Sequence, residues 1–239
     1  MKVSKKLLLL VMLCIGMILT QGCGLADKFF GKTDYDVQSF DQGWKSLDFK
    51  GLYSIQYPDY LVVKNPDEIT LNTLKKGSAS SNFDYLKNSG RKGMLILGTK
   101  ENTDFAQIKI LAGFPNKVPK LFDNVRLTPA QLVEYNITFE NNVKAKNAQQ
   151  GINGKRPVDI KYPVWNKVKI EYVNGINCLA HSYEMQQGDG PIIMNHSYTY
   201  FNKDVVYTVM ITESKKHFEK HQDIKLLDAI KTFKIVPRN

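Results

Sequence analysis

Alternation of apolar and polar residues predicts several short strands in the first half of the chain. From Tyr53 to Pro58 every second residue is apolar, which is typical of a strand with one buried face, and the proline marks its end. A continuous apolar run over 94–98 predicts a buried strand, and a second alternating run predicts another over 106–112. The polar segment 64–91 is predicted to be mostly loop.

A helix is expected in the middle of the chain. Thr128 and Gln131 have the spacing of a capping box, and Pro129 occupies the first helical position between them. The periodicity extends to about residue 146 and predicts an apolar stripe that faces the core: Leu132, Phe139 and Val143.

Three turn signals divide the segment 166–213 into four strands. Asn174-Gly175 is the strongest of them, Asp189-Gly190 is the second, and Lys203-Asp204 is the third. Two-residue turns at all three places fix the pairing of an antiparallel meander. One face of this meander is then apolar and aromatic throughout: Val168, Ile170, Tyr172, Leu179, His181, Tyr183, Met185, Met194, His196, Tyr198, Tyr200, Tyr207, Val209 and Ile211. A second helix, over about 217–232, is expected to cover this face.

The predicted pairing brings two histidines together on the apolar face. It places His196 opposite Tyr183 and His181 opposite Tyr198, so that the histidines are diagonal neighbours with Cα atoms roughly 7–8 Å apart. Two imidazoles with tyrosine hydroxyls nearby could bind a metal ion or an anion. The alternative is a pair of neutral core histidines, each hydrogen-bonded to a tyrosine or to the backbone.

The N-terminus has the layout of a signal peptide. Three lysines precede an apolar run of 13 residues, which is shorter than the roughly 20 residues of a membrane span. The run ends in Leu19-Thr20-Gln21-Gly22-Cys23, which resembles the lipobox of bacterial lipoproteins. That resemblance implies that Cys23 carries a diacylglycerol and is the first residue of the mature protein. The alternative is an ordinary signal peptide followed by a chance cysteine.

These features predict three segments: a signal peptide over 1–22, a lipidated tether over 23–48, and one folded domain over 49–239. The domain would be anchored in the cell envelope by its lipid and face away from the cytoplasm. If the cell has two membranes, Gly24 favours the outer one, because lipoproteins retained in the inner membrane usually carry aspartate at this position.

Charge and cysteine content narrow the choice of partners. The net charge of +10 falls to +7 without residues 1–22, and an exported chain of this kind is not expected to bind nucleic acid. Envelope proteins, wall polymers and the membrane itself are the expected partners. Cys178 is the only cysteine besides Cys14 and Cys23, so no intrachain disulfide is expected, and it is predicted to be a small buried hydrophobe rather than a nucleophile.

The order of elements resembles the PsbP-like family, which includes the DcrB-type lipoproteins and the Mog-type Ran-binding proteins. The resemblance lies in Tyr53–Pro58, in the strand pair Tyr198–Ile211 and in Leu226–Ile235, and it covers roughly residues 49–236. It implies an α+β fold, an α/β/α sandwich with a mainly antiparallel sheet, in which a four-strand meander precedes a C-terminal helix. It implies no catalytic residues and no cofactor.

The sequence contains no nucleotide-binding glycine loop and no nucleophile elbow. His217 and His221 have the i, i+4 spacing that zinc sites use, but Phe218 stands where a zinc protease needs glutamate, so a solvated helix start is expected there. Two hypotheses remain. The first is a non-enzymatic binding or assembly module, and the second is a small-molecule or metal binder, or an enzyme, that uses His181, His196, Tyr183 and Tyr198.

Overall fold

A computed structural model describes residues 37–38, 42–49, 52–64, 93–100, 104–113, 127–150, 159–202 and 205–235. The predictions for the signal peptide, for Cys23 and for the loop over 65–91 lie outside these residues. No helix in the described ranges is both long and apolar enough to span a membrane.

Twelve strands and three helical segments make up the described part of the chain. In order they are β1 (Val37–Gln38), β2 (Trp44–Phe49), β3 (Tyr53–Pro58), β4 (Leu61–Val63), β5 (Gly93–Thr99), β6 (Ala106–Gly113), α1 (Pro129–Gln150), β7 (Ile160–Lys161), β8 (Trp165–Val173), β9 (Ile176–Gln187), β10 (Ile192–Asn202), β11 (Val205–Ser214), α2 (Lys215–Lys220), a 3₁₀ helix (Leu226–Thr232) and β12 (Lys234–Ile235).

The strands form two sheets. The large sheet has the order β4-β5-β6-β11-β10-β9-β7, and β8 pairs with another part of the same edge of β9 as β7. The small sheet has the order β1-β2-β3-β12. All described pairings are antiparallel. The meander of β8 to β11, followed by a helix, confirms the predicted α+β class.

Each face of the large sheet is covered by a different layer. On one face, which we call the α1 face, the helix α1 packs through Tyr135, Phe139 and Val143 onto strand residues such as Leu179 and Val206. On the opposite face, the small sheet and the 3₁₀ helix enclose the larger core, with Ile108, Tyr207 and Val209 contributed by the large sheet.

The predicted start of α1 is confirmed. The backbone N–H of Gln131 donates to Thr128 Oγ1 at 3.3 Å, and the N–H of Thr128 donates to Gln131 Oε1 at 2.8 Å. These reciprocal bonds satisfy two donors that a helix end leaves free. Phe139 and Val143 are buried as expected, Leu132 is half-buried, and the helix continues four residues beyond the predicted end.

A β-bulge in the edge strand β8 is stabilised by a side chain of α1. The pairing of β8 with β9 shifts between Asn166 and Lys169, which leaves Val168 without a partner in β9. The Asn136 side chain donates through Nδ2 to Val168 O at 3.0 Å and accepts from Val168 N–H through Oδ1. A carboxamide thereby takes the place of a neighbouring strand at the bulge.

The expected C-terminal helix is wrong as a single element. The helix α2 ends after Lys220, and the chain resumes helical structure only at Leu226. The buried positions of the second piece, Leu226, Ala229 and Ile230, are followed by buried Phe233. These positions have the spacing of one helical face, so one side of the segment stays on the core.

Part of the segment predicted as tether is folded. Strand β2 pairs with β3 along its full length, and its Leu47 is 3% exposed. Strand β1 pairs in turn with β2. The described strands β1 and β2 therefore begin ahead of the predicted boundary at residue 49.

Candidate functional site

His181 lies at the centre of an aromatic cluster on the α1 face. Its ring centroid is 4.6 Å from that of Phe139, 4.8 Å from Trp165 and 5.4 Å from Tyr183. The side chain is 6% exposed. Helix α1 provides Phe139, the edge strand β8 provides Trp165, and β9 provides the other two residues, so three elements build this cluster.

The tautomer of His181 follows from its hydrogen bond. Its Nδ1 lies 2.7 Å from the backbone oxygen of Asn166, and because a carbonyl oxygen only accepts, Nδ1 carries the proton. Burial lowers the pKa of His181 to about 4, against the opposing effect of the Asn166 carbonyl. The ring is therefore neutral at neutral pH, and Nε2 presents a lone pair.

The structure separates His181 from His196. Strands β9 and β10 pair so that His181 opposes Ser197 and His196 opposes Ser182. Directly opposed residues share a face and successive residues alternate, so His181 and Tyr183 lie on the α1 face while His196 and Tyr198 lie on the other. The predicted pairing of β9 with β10, and with it the diagonal contact of the two histidines, is wrong.

Pro191 explains the shift. The predicted two-residue turn needs an N–H at residue 191 to donate to the carbonyl of Gly188, and proline has none. Instead, Gly190 N–H donates to Gln187 O at 3.0 Å, with Gly188 at a φ of 54°. The turn moves back by one residue, and a shift of one residue transfers every side chain of one strand to the opposite face relative to its neighbour.

The two other turns give the predicted pairing. Asn174 and Gly175 both have positive φ, of 51° and 82°, as a two-residue hairpin turn requires. Strands β10 and β11 pair with Asn202 opposite Val205, which leaves two residues for their connection.

With the histidines on opposite faces, the two cannot share one metal ion. Across the described ranges, no group of three or more His, Cys, Asp and Glu side chains is arranged to hold a metal. A ligand role for His181 and Tyr183 stays a prediction. A ligand role for His196 and Tyr198 also stays a prediction, but it concerns the opposite face of the sheet.

A small cavity of about 40 Å³ lies between α1 and the large sheet. Residues of α1, β9, β10 and β11 line it: Phe139, Val143, His181, Tyr183, Asn195, Ser197, Thr208, Met210 and Thr212, together with His196, whose side chain lies on the opposite face of the sheet. None of these side chains carries a fixed charge.

A buried hydrogen-bonded pair of side chains, Glu213 and His217, lies at the start of α2, where a solvated helix start was expected. His217 Nδ1 is 3.0 Å from Glu213 Oε2, and the two side chains are 1% and 3% exposed. The ring of His217 stacks on His221 with centroids 4.4 Å apart, and Tyr60 packs against both rings. Burial, together with the negative charge of Glu213, raises the pKa of Tyr60.

The alternation of residues in β11 indicates this pair, whereas the helical spacing of His217 and His221 does not. Glu213 falls two residues after Ile211 in β11, so it occupies a position that strand alternation assigns to the buried face. A carboxylate at such a position requires a partner, and His217 is four residues away. The expectation of a solvated helix start is wrong for His217, whereas His221 is partly exposed.

Cys178 is buried, as the sequence predicts. Its side chain is fully enclosed in the larger core, and burial raises the pKa of its thiol to about 12, with the charge of Glu171 adding to the effect. A thiol with so high a pKa forms no thiolate at neutral pH and behaves as a small hydrophobe.

Comparison with known proteins adds a likeness in fold. No protein-family model matches the sequence, and no curated protein is significantly similar to it. Among solved structures, the chain is similar to cyanobacterial PsbP from Synechocystis sp. PCC 6803, with 12% identity, 91% of this chain and 99% of that chain covered, and a TM-score of 0.45.

Two further structures are similar at comparable levels. LpqN of Mycobacterium tuberculosis, which is involved in cell envelope biogenesis, shows 8% identity over 77% of this chain and 83% of its own, with a TM-score of 0.36. A protein from Bacteroides thetaiotaomicron VPI-5482 shows 11% identity over 81% of this chain, with a TM-score of 0.40, and the chain spans only 48% of that protein. Likeness at this level conveys nothing about function.

Proposed function

We propose that this chain is a lipoprotein of the cell envelope whose folded domain is a non-enzymatic module that binds another envelope protein. The anchoring part rests on the sequence around Cys23, where a short apolar run ends in a lipobox-like segment. Two acyl chains suffice for stable attachment to a bilayer. Where a second membrane is present, Gly24 favours the outer one.

The observation that carries the binding role is a stripe of exposed apolar side chains. It consists of Val133 and Ile137 of α1, which are 60% and 59% exposed, and of Ile170 and Tyr172 of β8, which are 36% and 74% exposed. We call it the α1/β8 stripe. Large apolar side chains that are exposed together on one surface are typical of an interface with a partner.

Contacts between α1 and β8 put the residues of the stripe on neighbouring elements at one edge of the sheet. The two elements run in opposite directions, because Asn147 bonds to Tyr162 ahead of β8 while Asn136 bonds to Val168 inside it. Val133 and Ile137 lie within one helical turn of Asn136. Ile170 opposes Leu179, which packs under α1, so Ile170 and Tyr172 project on the side of the sheet that carries the helix.

The groups that could perform chemistry are engaged in packing. His181 is enclosed by aromatic rings, Cys178 lies in the core, and Glu213 binds His217 inside the protein. The cavity beside His181 is far smaller than a typical substrate pocket of several hundred Å³. These features favour binding through the surface over catalysis.

Changing Cys23 to Ser is expected to release the protein from membranes. Without the thiol, no thioether to diacylglycerol can form, so the variant should remain unprocessed or leave the membrane fraction. The measurement is fractionation of cells together with metabolic labelling by a fatty acid. A variant that is still processed, still labelled and still recovered with membranes would show that Cys23 is not the anchor. Cys178→Ser serves as the control and should keep the label.

A photo-crosslinking residue at position 172 is expected to capture an envelope protein in intact cells. Val133→Lys and Ile170→Lys should each reduce the yield of the same adduct at least about fivefold, because a charge in an apolar interface must be desolvated. A crosslinker at Lys216 of α2, which lies away from the stripe, should not form this adduct.

A substitution that removes a positive charge distinguishes a protein partner from a wall-polymer partner. Lys167 is exposed on β8 and would contribute to binding an anionic polymer. If Lys167→Gln abolishes retention on purified cell wall while the lysine substitutions in the stripe have no effect, the partner is a polymer and the proposed protein interface is wrong. The variants should unfold at unchanged denaturant concentration, since all of these side chains are exposed.

A further inference from the structure

The cavity beside His181 contains an unpaired acceptor. Nδ1 is held by the Asn166 carbonyl, and Nε2 is buried without a hydrogen-bond partner among the residues that the structure describes. Because Nδ1 carries the proton, Nε2 can only accept. A buried acceptor of this kind is rare in proteins and requires an explanation, which a bound donor would supply.

The fold directs Nε2 into the cavity. Asn166 belongs to β8, which lies on one side of β9, and it fixes the Nδ1 edge of the ring toward that strand. The opposite edge of the ring therefore faces β10 and β11. These two strands supply Ser197, Thr208 and Thr212 to the cavity wall. Ser197 opposes His181 directly across the β9–β10 pair.

The lining defines the chemistry that the cavity accepts. Phe139, Val143 and Met210 offer no hydrogen bond, so they favour an apolar body over water alone. Thr212 donates to Asn195 Oδ1 at 3.2 Å, and Thr199 and Thr208 share a hydrogen bond of 3.4 Å, so much of the remaining polar wall is already paired. With no charged side chain in the lining, an ionic ligand would have no counter-charge.

We infer that this cavity is a binding site for a small uncharged molecule that presents a hydroxyl donor to His181 Nε2 on a compact apolar body. The inference does not depend on lipid anchoring or on the α1/β8 stripe. At about 40 Å³ the cavity accommodates three to four groups of the size of a water molecule, so a branched three-carbon alcohol, or the terminal part of a larger one, fits.

Two compounds with the same carbon skeleton test whether the ligand must donate a hydrogen bond to His181 Nε2. The mature chain, carrying Cys23→Ser and labelled with ¹⁵N, is titrated at pH 7 with 2-propanol and separately with acetone, which has no donor. Long-range proton–nitrogen spectra report the His181 Nε2 resonance. A shift that saturates with 2-propanol, with an affinity at least about tenfold above that for acetone, is the expected result. The imidazole of His221, outside the cavity, serves as the internal control.

Two variants keep the test decisive. Ser197→Val fills the cavity and leaves His181 in place, so it should abolish the saturable shift. His181→Phe should abolish binding detected through the methyl resonances of Val143. The inference is overturned if both compounds shift Nε2 equally, if the shift rises without saturation, or if neither compound displaces an ordered water that bonds to Nε2. Binding that persists in Ser197→Val would likewise overturn it.

Discussion

Replacing Glu213 by Ala is expected to lower the free energy of unfolding by about 2–3 kcal/mol, because the change leaves the buried Nδ1 of His217 without its hydrogen-bond partner. Glu213 and His217 are 3% and 1% exposed, so neither side chain regains contact with water when the other is removed. The ring of His217 is also confined by Tyr60 and by His221, which prevents it from turning toward solvent.

A double-mutant cycle isolates the contribution of the pair. Glu213→Leu and His217→Phe are each expected to destabilise strongly, while the double variant should be more stable than the sum of the two changes implies. Urea denaturation of the mature chain measures all four proteins. Strictly additive changes would mean that the two side chains act independently, which contradicts the expected coupling.

An exposed pair of the same spacing serves as the matched control. Glu140 and Lys144 of α1 also lie four residues apart and form an ion pair, with side chains 37% and 44% exposed. Glu140→Ala should change the free energy of unfolding by no more than about 0.5 kcal/mol, since water screens the interaction. The contrast between the two pairs tests whether burial, rather than charge pairing itself, sets the magnitude.

Replacing Phe233 by Ala is expected to cost about 3–5 kcal/mol of stability. The ring is 2% exposed and lies 5.6 Å from Tyr53, 5.1 Å from Tyr200 and 6.2 Å from Tyr207, measured between centroids. Tyr53 belongs to the small sheet and the other two tyrosines belong to the large one. Phe233 thus joins the two sheets, and its loss leaves a cavity between them.

The neighbouring backbone gives a way to check this result. Asn174 Nδ2 donates to Phe233 O at 2.8 Å and to Ile230 O at 3.1 Å, which fastens the C-terminal segment to the turn between β8 and β9. Phe233→Leu preserves most of the volume and should cost less than about 1.5 kcal/mol. Hydrogen exchange should show weaker protection in β3 for the alanine variant. An alanine variant within about 1 kcal/mol of wild type would contradict the central role of this ring.

Much of the fold follows from local signals in the sequence. The capping box at Thr128 and Gln131 sets the start of α1, and Asn174-Gly175 sets the first hairpin, because both depend on residues close together in the chain. Alternation correctly predicts β3 and β6. Strand β2 was not predicted, since its sequence WKSLDF buries few side chains and resembles a polar linker.

The candidate site was harder to predict because it depends on one turn. The signal Asp189-Gly190 is strong by composition, but Pro191 removes the donor that the predicted turn needs. The resulting shift of one residue moves His196 and Tyr198 to the other side of the sheet relative to His181 and Tyr183. All four side chains remain at least partly buried, but the contact between the His181–Tyr183 pair and the His196–Tyr198 pair is lost.

Contacts between residues far apart in the sequence account for the other features of the site that the sequence did not predict. Trp165 and Phe139 enclose His181 only because α1 lies along β8, and no local pattern connects these segments. Likewise, no local pattern connects Tyr60 with His217, although their rings are in contact in the folded protein.

The Asn136 carboxamide has a consequence for how the domain behaves among its own copies. An exposed edge strand offers a ladder of free N–H and C=O groups to which a strand of another molecule can add. At Val168 both groups are occupied by Asn136, so an incoming strand meets an interruption partway along β8. The lysines at 167 and 169 place charges on either side of it. This interruption protects the domain from edge-to-edge aggregation while the side chains of the strand stay exposed.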